Sequence, residues 1–228
     1  MKWSFIVFCY NEEYSIEKVI TDCYSFISSQ CSGNGEIIFV NDGSTDKSLE
    51  IAEALLPQIG ILKIIHHQQN LGIGSALNAG YDHAQGEYIC AIPGDGQFKI
   101  EELISIEEFG DDHFISFYRT HKGYSFYRNV LTYGNFLLNK YINNIHIKDV
   151  NWIKVYRRNQ LKQISRNLKS SLVESEIAGK LIKLKISPIE LPSEYVPRAG
   201  DKAKGGNLKT LIQAIRETLK LYQSIHKK

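Results

Sequence analysis

The sequence predicts an α/β fold with a mostly parallel central sheet flanked by helices. Through the first hundred residues, short apolar runs alternate with stretches of helical periodicity. Two of those runs end in polar, glycine-containing turns, at 41–46 and 93–97. With 228 residues, 43% hydrophobic and 23% charged, the chain can bury one good core and has no compositional mark of disorder.

Trp3–Phe8 reads as a buried strand. Glu12–Ser29 follows as a helix with Ile16, Val19, Ile20, Cys23 and Ile27 on one side. Glu36–Val40 is the second strand, and Asn41 to Asp46 is the turn and helix cap after it. Ser48–Leu56 is helical, Leu62–His66 a strand, Leu71–Ala84 a glycine-started helix and Glu87–Ile92 a strand. Repeated strand–helix units with right-handed crossovers place the loops after these strands on one carboxyl edge. The second half alternates less strictly. It predicts strands at His113–Tyr118, Asn151–Tyr156 and Ile186–Leu191, and helices at Tyr124–Asn144 and Ser175–Leu184. The boundaries expected are a domain over 1–197, with a nucleotide-binding half (1–98) and an acceptor-side half (99–197), then a basic segment and amphipathic helix over 198–228.

The net charge of +2 argues against a whole-surface nucleic-acid binder. It hides an asymmetry: residues 198–228 hold 8 Lys/Arg against 2 Asp/Glu, leaving 19 basic and 23 acidic residues in 1–197. Residues 199–206 are Gly/Lys-rich and read as mobile. Beyond them Leu208, Leu211, Ile212, Ile215, Leu219, Tyr222 and Ile225 follow helical spacing, with Lys209, Arg216 and Lys220 on other faces. Such a helix can dock on its own domain, pair with a second copy, or lie on an anionic membrane surface. Cys9, Cys23, Cys31 and Cys90 lack metal-ligand spacing, which predicts buried reduced thiols and a cytoplasmic setting. The start of the chain shows no signal-peptide pattern, and no run approaches the ~20 apolar residues of a membrane span.

Three loops would converge on the carboxyl edge. Tyr10, Asn11 and Glu12 follow the first strand, where a helix start and polar side chains suit a base and ribose, although Asn11 is equally a helix cap. Asp42 ends the second strand, where a carboxylate can accept from a pyrimidine N–H or ribose hydroxyl, or cap the next helix. Asp95 and Gln97 occupy the Pro93-Gly94-Asp95-Gly96-Gln97 turn, oxygen ligands suited to a cation on a phosphate.

Together, Tyr10-Asn11-Glu12, Asp42-Gly43-Ser44-Thr45-Asp46, Asn70-Leu71-Gly72 with Ala76 to Gly80, and Gly86-Glu87-Tyr88 resemble family-2 glycosyltransferases of the GT-A fold. The later part is similar to the dolichyl-phosphate sugar synthase-like branch, through the Pro-Gly-Asp-Gly-Gln turn, Arg119, Tyr127-Arg128, Asp149 and Pro197-Arg198. The resemblance implies an inverting transfer from a UDP- or GDP-linked sugar to an acceptor, a polyprenyl phosphate on the cytoplasmic membrane face. It implies that Tyr10, Asn11, Glu12, Asp42, Gly72, Asn78 and Asp95 hold the nucleotide-sugar, and that Asp95 and Gln97 bind Mg²⁺ or Mn²⁺. Arg119, Arg128 and Arg198 would face phosphate, with Asp95, Asp149 and Arg128 as the catalytic candidates.

The chemistry agrees with those roles. A departing nucleoside diphosphate gains charge that a divalent cation and arginine stabilise. A phosphate acceptor is already anionic, whereas a sugar hydroxyl needs a general base, for which Asp149 and Glu176 are the candidates. Pro93 stands where relatives have the first acid of an Asp-x-Asp motif, leaving one carboxylate in the turn; Asn41 stands where a second acid is common. A sugar-hydroxyl acceptor and a non-catalytic nucleotide-sugar-binding scaffold are the alternatives. A dinucleotide oxidoreductase is disfavoured, because Leu77 takes the last glycine position of the Gly72-Ile73-Gly74 run and that run lies far from strand one.

Overall fold

The computed structural model describes residues 2–120, 145–194, 196–197 and 208–226. The expected aromatic helix at 124–144, together with Arg128, and the Gly/Lys-rich segment with Arg198 lie outside the described residues. Among the described residues seven strands form one sheet in the order β3-β2-β1-β4-β6-β5-β7. They are β1 (Trp3–Cys9), β2 (Gly35–Asn41), β3 (Leu62–His66), β4 (Tyr88–Pro93), β5 (His113–Arg119), β6 (Lys154–Arg157) and β7 (Ser187–Ser193). β6 runs antiparallel to both β4 and β5, while every other pairing is parallel. Mostly parallel is therefore right, with one reversed strand that the sequence reading did not anticipate.

The helices among the described residues are α1 (Ile16–Gln30), α2 (Ser48–Leu55), α3 (Ile73–His83), α4 (Arg158–Lys162), α5 (Val173–Lys183) and α6 (Leu208–His226), with a 3-10 turn at Ile100–Ser105. Side chains alternate across the strands with period two, so the sheet feeds two cores. Phe5, Val7, Ile37 and Phe39 pack with Ile16, Ile20 and Ile27 of α1 on one face. Ile6, Ile38 and Val40 pack with Ala76 and Leu77 of α3 and Val173 and Ile177 of α5 on the other. Trp3 stacks on Tyr88 at 5.5 Å and meets Phe26 edge-on at 5.8 Å, which ties β1, β4 and α1 together. All four cysteines are free and buried, and burial pushes the Cys23 and Cys90 thiols up.

Two helices start later than the periodicity predicts, each because the residue before it departs from helical backbone angles. Ser15 stands at φ −127°, so α1 begins at Ile16 instead of residue 12, and the 11–13 amides are capped by side chains of the 44–48 segment. Gly72 adopts φ +91°, so α3 begins at Ile73, with the Leu71 and Gly72 amides donated to Asp42. β7 continues through Pro192, which an edge strand tolerates because its outer amides need no partner.

The C-terminal helix lies on its own domain over its described side chains. Leu221 and Ile225 are buried. Lys183 donates to the Ile225 carbonyl, and Asn167 donates to Ser224 at 3.2 Å. Gly179 is the close point, since a Cβ there would come 2.5 Å from Ile225 Cδ1. Leu219 and Tyr222 remain on the exposed side.

Close packing also explains Gly80. A Cβ at that position would sit 2.1 Å from Ile6 Cγ2 of the central strand. Gly80→Ala gains about 1 kcal/mol of helix propensity. Displacing a fully buried isoleucine costs about 1–3 kcal/mol, so the variant should be net destabilised by up to about 2 kcal/mol in urea unfolding.

Glu36 gives a second stability test. Its buried carboxylate accepts from Ser4, Lys63 and the Gln85 N–H. Burial raises its pKa, but the Lys63, Ser4 and Gln85 hydrogen bonds outweigh it and hold the group below the usual glutamate value. A depressed folded value adds stability above the unfolded pKa and loses it as pH falls toward the folded one. Thermal melts of Glu36→Gln should therefore fall less steeply on acidification than those of the parent.

Candidate active site

β1 to β5 and β7 all point their carboxyl ends to one edge, and the reversed β6 begins there. That edge collects the loops after β1, β2, β3 and β4, Arg119 at the end of β5, and the Asp149–Ile153 approach to β6.

The first four loops are latched to one another by side chains bonding to backbone. Asn11 takes φ +56°, donates its N–H to Ser44 Oγ at 3.0 Å and accepts from Thr45 N at 2.8 Å. Asparagine tolerates this left-handed conformation better than most residues. Glu12 N donates to Ser48 Oγ, Glu13 N to Asp46, and Lys47 N to Glu13. Gly94 N donates to Phe8 O, and Ser15 Oγ to Gly94 O at 2.7 Å, bringing the β4 turn against the β1 loop. Gly43 (φ +70°) touches the β3 loop directly, for a Cβ there would meet Gln69 backbone at 2.3 Å.

Asp42 is 3% exposed and carries the link between β2 and β3. One oxygen, Oδ1, accepts from His67 Nδ1 at 2.8 Å and Leu71 N at 3.0 Å, while Oδ2 accepts from Gly72 N at 2.9 Å. Gly72 thus belongs with Asp42. Asn41 is fully buried, its amide occupied by His66 Nδ1 and Ser44 N, so the missing second acid at this position faces the interior. Tyr10 stands 38% exposed at the mouth of the β1 loop.

The β4 turn presents Asp95 and Gln97. Gly96 (φ +72°) permits the tight turn, in which Asp95 Oδ1 accepts from Gln97 N at 3.1 Å. Burial pushes the Asp95 carboxyl up, opposed by the Gln97 N–H and by the Arg119 guanidinium. Gln97 Nε2 donates to Val196 O at 3.2 Å, so the oxygen is the part of this amide available to a cation. Phe98 anchors the turn edge-on against Phe117 at 5.5 Å and Trp152 at 6.2 Å.

Arg119 sits over the Trp152 ring, 4.4 Å from its centroid. It grips Asp149 with two bonds, Nε to Oδ2 at 2.8 Å and an NH₂ to Oδ1 at 3.0 Å. Trp152 in turn donates to Ser193 Oγ at 2.9 Å. The structure therefore brings Asp95, Gln97, Arg119 and Asp149 together. Asp149 is there as the partner of an arginine, a poor setting for a general base.

Two expected residues stand elsewhere. Asn78, on the second turn of α3, donates to Leu168 O and accepts from Arg166, tethering the 166–168 segment instead of facing the carboxyl edge. Glu176 is fully buried on α5 and accepts from Asn167 N, Leu168 N, Lys180 and Ser224. Burial raises its pKa, but the Lys180 and Ser224 bonds prevail and hold it low, as befits a structural carboxylate and not a catalytic base. A cavity of about 590 Å³ opens on the same side, lined by Leu71, Ile73, Lys169, Ser170, Glu217 and Lys220. Sequence reasoning missed His67 and Trp152, whose partners come from other strands and leave no local pattern.

A mostly parallel α/β sheet with latched loops over one carboxyl edge makes this an α/β protein of the kind that binds ligands at the carboxyl ends of its strands. The Glycosyl transferase family 2 profile matches residues 4–165, and the chain belongs to that family. Among curated proteins it is 32% identical over 109 residues to a dolichyl-phosphate beta-glucosyltransferase of Trichomonas vaginalis (46% of this chain, 32% of the relative). It is 42% identical over 82 residues to the putative glycosyltransferase EpsH of Bacillus subtilis (36% and 24%). The matches thus span a third or less of those relatives' own length. Among solved structures it resembles glucosyl-3-phosphoglycerate synthase of Mycobacterium tuberculosis, crystallised with Mn²⁺, UDP and glucosyl-3-phosphoglycerate. There the TM-score is 0.69 at 15% identity, over 98% of this chain and 79% of that one. The same synthase has been crystallised with Mg²⁺ and UDP. Among the described residues no helix is long and apolar enough to cross a membrane.

Proposed function

We propose that this chain is the catalytic core of an inverting glycosyltransferase that moves a sugar from a UDP- or GDP-linked donor to a polyprenyl phosphate. The observation that carries the reading is the Asp95 turn, held against the nucleotide-facing loops on one side and facing Arg119 on the other. Tyr10, Asn11, Glu12 and Asp42 line the place of the nucleoside, and Asp95 with the Gln97 oxygen that of the diphosphate.

The donor set suits a cation shared with the nucleotide. Among the described residues no cluster of three His, Cys, Asp or Glu could hold a metal alone. Mg²⁺ commonly uses one or two protein carboxylates and takes its other ligands from phosphate and water, so a single buried-leaning Asp95 fits. Such an ion, Mg²⁺ or Mn²⁺, neutralises charge on the leaving diphosphate. Arg119 adds a fixed positive charge on the acceptor side of the same turn. Arg128 and Arg198 would add to that charge.

The carboxylates support this acceptor class. Asp149 is committed to Arg119 and Glu176 to the α5–α6 network, so both candidate bases have other work. A phosphate monoester is already an anionic nucleophile and does without a base, which favours it over a sugar hydroxyl. The matching dolichyl-phosphate relatives support the same choice. Such an acceptor sits in the cytoplasmic leaflet, so contact with that surface would be peripheral, aided by the basic C-terminal segment.

The test is release of UDP or GDP from a panel of nucleotide-sugars with Mg²⁺ or Mn²⁺, with and without vesicles containing polyprenyl phosphate. Vesicle-dependent turnover with one donor is expected. Nucleotide binding without turnover under any combination would make the chain a scaffold, and turnover only with free sugars would move the acceptor to a hydroxyl.

A further inference from the structure

We propose that His67 is a positioning residue for nucleotide recognition, acting through Asp42 to hold the Leu71–Gly72 amides as one wall of the nucleoside site. The inference rests on the donor-binding reading above and adds to it a residue outside the loop motifs.

Three observations support it. The contact between His67 Nδ1 and Asp42 Oδ1 is 2.8 Å, and the two side chains are 14% and 5% exposed. An ionised carboxylate only accepts hydrogen bonds, so this contact requires the proton on Nδ1 and thereby fixes the imidazole orientation. His67 is itself fixed by its backbone, which donates to Asn41 O at 2.9 Å, the residue before Asp42. Residues 41–42 and 67 are therefore joined twice, once through backbone and once through side chains.

Asp42 has about four lone-pair positions on two oxygens. His67 and Leu71 N take two on Oδ1, and Gly72 N takes one on Oδ2. With Oδ1 doubly occupied, the carboxylate cannot rotate, and the remaining acceptor direction on Oδ2 is set. Loss of the imidazole donor leaves the carboxylate held only by the Leu71 amide on Oδ1 and the Gly72 amide on Oδ2. The 71–72 segment, which precedes α3, then bonds to a carboxylate whose side chain is no longer anchored to the residue after β3. The consequence falls on the nucleoside end of the site; the Asp95 turn is held separately by Ser15 and Phe8.

The test compares His67→Asn with His67→Gln. Asparagine places an amide N–H where Nδ1 stands, whereas glutamine carries its amide one methylene further out. Binding of UDP and of GDP, each with Mg²⁺ or Mn²⁺, is measured by calorimetry, and kcat and KM by nucleotide release from the donor that the parent uses. His67→Gln should raise the nucleotide Kd and the donor KM about tenfold with kcat within threefold of the parent. His67→Asn should recover most of that loss. Equal behaviour of the two variants, or a fall in kcat at unchanged KM, would overturn the role. A parent protein that binds neither nucleotide would instead defeat the donor-binding reading itself, and this inference with it.

Discussion

Asp95→Asn should lower sugar transfer by about 10³-fold or more while the folded state becomes no less stable. The substitution keeps Oδ1, so the bond from Gln97 N survives and the turn retains its shape. What it removes is the charge that would meet the cation and the diphosphate. With Pro93 in place of a second acid, nothing else in the turn carries a negative charge. Burial pushes the Asp95 carboxyl up. A raised folded value means that the ionised form costs stability at neutral pH, a cost relieved as pH falls. The asparagine variant escapes that cost, so its Tm should equal or exceed the parent's. The same shift predicts that cation-dependent nucleotide binding in the parent weakens with falling pH earlier than an ordinary aspartate would cause, because a ligating carboxylate must be deprotonated. Calorimetric titration of Mn²⁺ with UDP or GDP over a pH series checks this; a Tm drop of several degrees in Asp95→Asn would show that Asp95 is structural.

Much of this site was legible in the sequence because the loops follow strands whose apolar runs are unmistakable. Phe5–Val7, Ile37–Val40 and Ile89–Ile92 are fully or almost fully buried, and burial on both faces is what continuous apolar runs imply. Once these strands are parallel, their ends must share an edge, and Asn11, Asp42 and Asp95 come together for topological reasons. What the sequence hid depends on partners distant along the chain. Asn78 reads as part of a motif, yet its amide bonds to residues 88 and 90 positions away. Asp149 reads as a free acid, and only the reversed direction of β6 brings it beside Arg119. Helix periodicity overran α1 and α3 because it registers apolar spacing and not the non-helical backbone angles of Ser15 and Gly72. The C-terminal helix has a pattern that suits its own domain, a partner or a membrane; the fit of Ile225 over Gly179 comes from a glycine that no periodicity marks.

The Arg119–Asp149 pair carries the other large expected effect. It is bidentate, 11% and 5% exposed at its two side chains, and roofed by Trp152. Removing one member of such a pair leaves a desolvated charge, typically at a cost of about 3–5 kcal/mol, whereas replacing both by apolar groups is often near neutral. Asp149→Leu should therefore be strongly destabilised in urea unfolding, and Arg119→Met/Asp149→Leu should recover most of the loss. Activity should separate from stability in that double variant. If Arg119 supplies positive charge to the acceptor phosphate and Asp149 only aims it, the refolded double variant stays inactive, with vesicle-dependent turnover down by about 10²-fold or more. Its nucleotide affinity should change little, because the Asn11 and Asp42 loops are latched without either residue. Asp149→Asn should fall between the extremes, since an amide oxygen still accepts one guanidinium bond but leaves the charge unbalanced. Recovery of both stability and turnover in the double variant would confine the pair to the fold and leave the acceptor phosphate to other arginines.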